Sequence, residues 1–200
     1  MPVVELSTIA TEPVGVDEVK THLRIDSTSE DSYLRDFLIP TARRQCEAFA
    51  RKAFISRSFR EDIPGYRWPS YGAVGVGPVV LERTPLQSVT SIAYYASGST
   101  TLSTWTASNY LVDTAKVPGG VYLAPGGTWL APSDTRHDAV QITYVAGYSS
   151  LAESVPADYR HAVLLWCAHL HEHRGDEARE VDPPRAIKDL IRPTRNFTFK

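Results

Sequence analysis

His169, His171 and His173 recur at every second position of CAHLHEHRGDE (residues 167–177), with Glu172 between the last two. Imidazoles and carboxylates together are the ligand types of a catalytic zinc site, where a metal-bound water becomes a nucleophile near neutral pH. On a helix only residues three or four apart share a face, so His169 and His173 face together while His171 points elsewhere. The zinc-protease pattern His-Glu-x-x-His also places a glutamate to activate water, and that order is absent here. A third ligand would have to come from His22, His137 or His161, whose spacing suggests nothing. One reading is a metal-dependent hydrolase using His169 and His173. The preferred one is a solvated or interfacial helix end, where histidines suit the negative end of the helix dipole.

The remaining chemical motifs are weaker. GAVGVGP (residues 72–78) has glycines in the order Gly-x-x-Gly-x-Gly and precedes a strand, whereas a dinucleotide loop opens a helix. There is no Gly-x-Ser-x-Gly elbow, and Cys46 and Cys167 lack a Cys-x-x-Cys spacing. The sequence therefore predicts no catalytic residue, no metal, no cofactor and no enzymatic activity. Trp68, Trp105 and Trp129, if exposed, would suit a sugar- or peptide-binding β module, but that reading leaves the helices at both ends unexplained.

Any site must be carried by a folded chain, and the composition provides one. Of 200 residues, 42% are hydrophobic and 22% charged, enough for a core. The formal net charge of −2 gives no attraction for nucleic acid, whose binding needs many basic contacts, and leaves little self-repulsion to oppose assembly. Two cysteines are too few for a secreted disulfide scaffold, which predicts a reducing, intracellular origin. The start lacks the basic and apolar blocks of a signal peptide, and the longest apolar run, AVLLWCA (residues 162–168), is too short to span a bilayer.

Residues 12–52 are charge-rich with helical spacing. Val16, Val19 and Leu23 form one stripe; Leu34, Leu38, Ala42, Cys46 and Phe49 form another. Thr28 with Asp31 predicts a capping box, and Pro40 a kink. From Ile55 to Tyr148 the texture changes to Thr, Ser, Val, Tyr and Trp between Gly and Pro, with SRSFREDI, GPVVLER, SVTSIAYYA, NYLVD, GVYLA and DAVQITYVAGY as strands. Helix returns at VPADYRHAVLLWCAHLHEHR (residues 155–174), where Tyr159, Ala162, Val163, Trp166 and Leu170 form the buried stripe. The fold class is α+β: a helical bundle of N- and C-terminal helices, an inserted small antiparallel β-sheet or barrel, and an extended C-terminal tail. The predicted parts of this single structural unit are helices over 1–54, a β-rich insertion over 55–150, a closing helix over 151–175 and a docking tail over 176–200. The tail segregates its charges, acidic first and then basic, and adds Ile187, Leu190, Ile191, Phe197 and Phe199. Apolar anchors interleaved with Arg and Lys suit a groove on an acidic partner.

In this order the segments resemble the phage head–tail connector family, also called adaptor or head-completion proteins, which includes the adaptors of gene transfer agents. VDEVKTHLRID and SEDSYLRDFLIPTARRQCEAFARKAF are similar to its N-terminal helices; LERTPLQSVTSIAYY, NYLVD and VQITYVAGY to its β insertion; VPADYRHAVLLWCAHLHEHR to its closing helix; and PPRAIKDLIRPTR to its C-terminal motif. The resemblance runs from about Val14 to Arg195 and departs from the family pattern at Thr194 and in HLHEH. It implies a dodecameric ring of copies beneath the portal protein, in the neck of a virion assembled in the host cytoplasm. The ring would extend the DNA channel without sequence-specific binding, meet a stopper or tail terminator on its tail side, and have no membrane partner. It implies portal docking by the C-terminal segment, for which Arg185, Ile187, Leu190, Ile191, Arg192, Arg195 and Phe197 are the candidates, and contacts with neighbours or the tail side by the β insertion.

Overall fold

The computed structural model describes residues 3–69, 78–174 and 184–195. The chain divides into two compact units, one of Met1–Thr8 with Ser56–Gly147 and one of Ile9–Ile55 with Tyr148–Lys200.

The first unit is built on period-two alternation. Strands β2 (Arg57–Ile63) and β8 (Val140–Ala146) bury every second residue, including Phe59, Ile63, Val140, Ile142 and Tyr144. They pair antiparallel with Phe59 opposite Tyr144, which brings the two rings to 5.9 Å. With β1 (Val3–Glu5), β4 (Leu86–Tyr95) and β5 (Leu102–Thr104) they form a five-stranded sheet in the order β1-β2-β8-β4-β5. A second sheet has the order β3-β7-β6, from β3 (Val79–Val80), β6 (Tyr110–Asp113) and β7 (Gly120–Leu123). Among the described residues both sheets are open and antiparallel; neither closes into a barrel. The first residues pair in the sheet with β2, whereas the sequence placed all of 1–54 with the helices. The reading as a sugar- or peptide-binding module, which needed exposed tryptophans, loses its footing. Trp68, Trp105 and Trp129 are at most 9% exposed and pack on one another with centroids 5.6–5.9 Å apart, so their area goes into this unit's own core. Gly65, three residues before Trp68, is required by close approach: a Cβ there would meet the Ser133 carbonyl oxygen at 2.0 Å.

Glu61 lies on the same buried face, fully covered. Its Oε2 accepts hydrogen bonds from the Glu82 backbone N–H (3.1 Å) and the Tyr144 hydroxyl (3.3 Å), while Oε1 has no partner among the described residues. Burial penalises the carboxylate and raises its pKa above the ordinary 4.5. A raised folded pKa means stability that is fully present below pH 4.5 and declines as pH rises from there toward the folded value. Glu61→Gln keeps the shape without the ionisation. It is expected to be more stable than the parent at pH 8 and to lose that advantage at pH 4, as read from urea midpoints.

The second unit is helical: α1 (Val16–Leu23), α2 (Asp31–Tyr33), a π turn (Leu34–Leu38), α3 (Ile39–Ala50), α4 (Ala157–Glu172) and α5 (Arg185–Ile191). At the start of α1 Glu18 accepts the Gly15 N–H at 2.8 Å, closing the first turn. The capping box predicted at Thr28 is not formed. Glu30 is the N-cap of α2 and makes no capping bond, because its carboxylate is drawn to Arg174; Asp31 is drawn to Lys20 at 2.9 Å. The disruption at Pro40 takes the form of the π turn directly before it. Proline lacks the N–H that an α turn would use and crowds the preceding turn, so a widened turn keeps the helical run going. Apolar residues of all these helices share one core, with Leu34, Leu38, Phe54, Tyr159, Trp166, Ile187 and Ile191 among its members.

Candidate functional site

The histidines at the end of α4 do not converge. His171 Nε2 lies 3.1 Å from the Glu30 carboxylate, whereas His173 Nδ1 hydrogen-bonds the His169 carbonyl oxygen at 2.9 Å. The rings of His169 and His173 lie tilted by 38° with centroids 4.5 Å apart. Among the described residues no group of three His, Cys, Asp or Glu side chains could hold a metal ion. Cys46 and Cys167 are buried, and burial pushes the Cys167 thiol up to about 12 and raises Cys46 as well, so neither forms the reactive thiolate.

What the helix end does build is a clasp. Arg174 donates to both oxygens of Glu30 at 2.8 and 2.7 Å, with His171 on the same carboxylate. This ties the C-terminus of α4 to the start of α2. The Arg174 bonds foremost, and His171 next, hold the Glu30 carboxyl down from its ordinary 4.5 to about 2. A depressed folded pKa means that the clasp's contribution is present above pH 4.5 and is lost as pH falls through 2. In a carbon-detected NMR titration Arg174→Ala is expected to return the Glu30 midpoint most of the way to 4.5; an unchanged midpoint would show that the clasp does not form.

The candidate docking residues separate by face. Ile187 and Ile191 are 0% exposed and belong to the helical core, and Leu190 packs against it partly buried. The apolar stripe of α5 is therefore covered by α3 and α4 of its own chain, and the two isoleucines are not presented to a partner in this conformation. The opposite face carries Arg185, whose side chain is 95% exposed, and Arg192 follows it, also exposed. Arg195 is half-buried, its guanidinium 4.7 Å above the Phe49 ring. Phe197 lies outside the described residues. On α4, Tyr159, Ala162, Val163 and Trp166 are buried in the core and Leu170 packs partly buried against it.

Sequence reasoning missed one surface feature. Phe37 is 65% exposed and stacks on Tyr33 at 6.3 Å. The available signal was an aromatic pair four residues apart, lying off the Leu34–Leu38 stripe.

No protein-family profile matches the chain, and no curated protein does. Solved structures do. A chain in the neck of an empty gene transfer agent particle, computed with C6 symmetry, superposes with TM-score 0.74 at 24% identity. A chain in the virion of a native gene transfer agent particle gives 0.75 at 23%, and one in the neck of a native particle, computed with C12 symmetry, 0.71 at 24%. Each alignment covers 100% of this chain and 98% of the other. The chain has their fold. It is shared from end to end, the strands of the first unit and the helices of the second alike, and it agrees with the resemblance that the sequence carries to head–tail connectors.

Proposed function

We propose that this chain is a structural head–tail connector subunit, acting in the neck of a phage or gene-transfer-agent particle. The observation that carries the reading is the end-to-end likeness in fold to neck chains, with 98% of their length matched. Copies form a dodecameric ring beneath the portal protein, prolong the DNA channel and receive a stopper or tail terminator. A net charge of −2 suits a conduit, since a strongly basic lumen would grip the phosphate backbone. The role is architectural, without turnover or cofactor, and localises the chain to the virion neck after assembly in the host cytoplasm. Among the described residues no helix is long and apolar enough to cross a membrane.

Docking on the portal is assigned to the C-terminal segment, through the exposed Arg185 and Arg192 with Leu190 and Arg195, and through Phe197, which lies outside the described residues. Ile187 and Ile191 support that surface from beneath. The first unit supplies the contacts with neighbours or the tail side. Nothing in the geometry of His169 and His173 favours a hydrolase. Particles assembled without the gene are expected to accumulate as DNA-filled heads and separate tails, and a plasmid copy restores joining. Normal joining without the gene would overturn the reading.

A further inference from the structure

The helical unit carries two surface features that its own packing does not use. The first is the Phe37 knob on the π turn. Tyr33 supports it from beneath, the Arg174 guanidinium lies 4.5 Å from the Tyr33 ring centre, and Glu30 fixes that guanidinium. Arg44, seven residues on and so about two helical turns along the same side, folds back onto the Pro40 carbonyl at 3.3 Å and adds a cationic group there. An exposed aromatic that is already ordered loses little freedom on binding, which is the property of an interface anchor.

The second is a shallow groove of about 450 Å³ between α1 and α4, lined by Asp17, Glu18, Thr21, His22 and Leu164. The His22 ring stands edge-on to His161 at 6.1 Å, and Leu164 is half-buried against the core, so the groove offers aromatic and apolar surface beneath an acidic rim. Glu18 is paired with Arg160, whereas Asp17 has no ion pair among the described residues. Lys20, which reaches Asp31 at the start of the knob's helical run, projects about 130° round α1 from the middle of the groove residues at 3.6 residues per turn. The start of the helical run that carries the knob thus lies on a different side of α1 from the groove.

A closed ring needs two different, complementary faces on every subunit. We propose that Phe37 of one copy seats in the α1–α4 groove of the next, its ring against His22 and Leu164 and Arg44 toward Asp17, as the repeating head-to-tail contact; this rests on the connector reading. Size and charge select this occupant. The groove has room for a phenyl ring, and Asp17 on its rim meets Arg44.

The test uses the full chain in assembled particles. Phe37→Cys combined with Thr21→Cys is expected to give, on oxidation, a ladder of linked copies ending in a closed ring; each single variant gives none, since Cys46 and Cys167 are buried. Phe37→Asp, at a 65% exposed position, is expected to keep the parental melting temperature and lose at least tenfold in neck incorporation. Asp17→Arg should weaken incorporation, and Arg44→Asp added to it should restore it. Parental incorporation of folded Phe37→Asp, or a double-cysteine ring without linkage, would overturn this contact and leave the connector reading standing. A wild-type chain absent from the neck would remove both.

Discussion

Glu47→Ala is expected to destabilise the helical unit by about 3–5 kcal/mol, the cost of breaking a buried ion pair from one side. Glu47 and Arg43 are 3% and 6% exposed. Arg43 donates to Glu47 Oε2 at 2.8 Å and to Glu12 at 2.7 Å, so one guanidinium joins two carboxylates. The other Glu47 oxygen accepts the Phe54 N–H at 2.7 Å, and the Glu47 carbonyl accepts the Lys52 N–H at 3.1 Å. Glu47 thereby shapes the turn that ends α3, where Arg51 takes a left-handed φ of 55°. Phe54, placed by that turn, stacks on Tyr159 of α4 at 4.8 Å. Removing the carboxylate leaves Arg43 buried with only Glu12, leaves the Phe54 amide unpartnered and loosens the Phe54–Tyr159 stack. Urea unfolding of the single variant measures the loss. Arg43→Met combined with Glu47→Leu should recover much of it, because paired apolar replacement avoids the uncompensated charge. A loss below about 1 kcal/mol for Glu47→Ala, the scale of an exposed pair, would contradict the buried geometry.

The second large effect is expected at α5. Ile187→Ala and Ile191→Ala should each cost about 2–5 kcal/mol, as for other large-to-small changes at fully buried sites. Both side chains fill the core beside α4. Charge reversal at Arg185 or Arg192 should leave the melting temperature nearly unchanged, since both are exposed. This contrast separates the structural face of the helix from its docking face. It also means that truncation before Pro184 is a poor test of docking, because it opens the core while removing the arginines. Equal, small losses at all four positions would show that α5 does not pack as described.

Much of the fold was legible because its determinants are local. The alternation in SRSFREDI and DAVQITYVAGY marks β2 and β8, and the Tyr159–Ala162–Val163–Trp166 stripe marks α4. β1 and β5 escaped because three-residue strands exist through their partners: Val3–Glu5 is a strand only where Phe59–Glu61 offers an edge. The burial of the tryptophans was not legible for a related reason, since their packing on one another joins residues 68, 105 and 129. The apolar spacing in α5 was visible, but an amphipathic helix does not encode whether its own chain or a partner covers it; here its own chain does. The histidines resisted a firm reading because their partner, Glu30, lies 141 residues from His171.

The most direct test of the central claim is cryo-electron microscopy of the neck of particles made with the wild-type chain. A ring of copies between portal and tail is expected, into which each unit of this chain fits without remodelling of its sheets or helices. A complete neck containing no density for this fold, in particles that have joined head and tail, would contradict it.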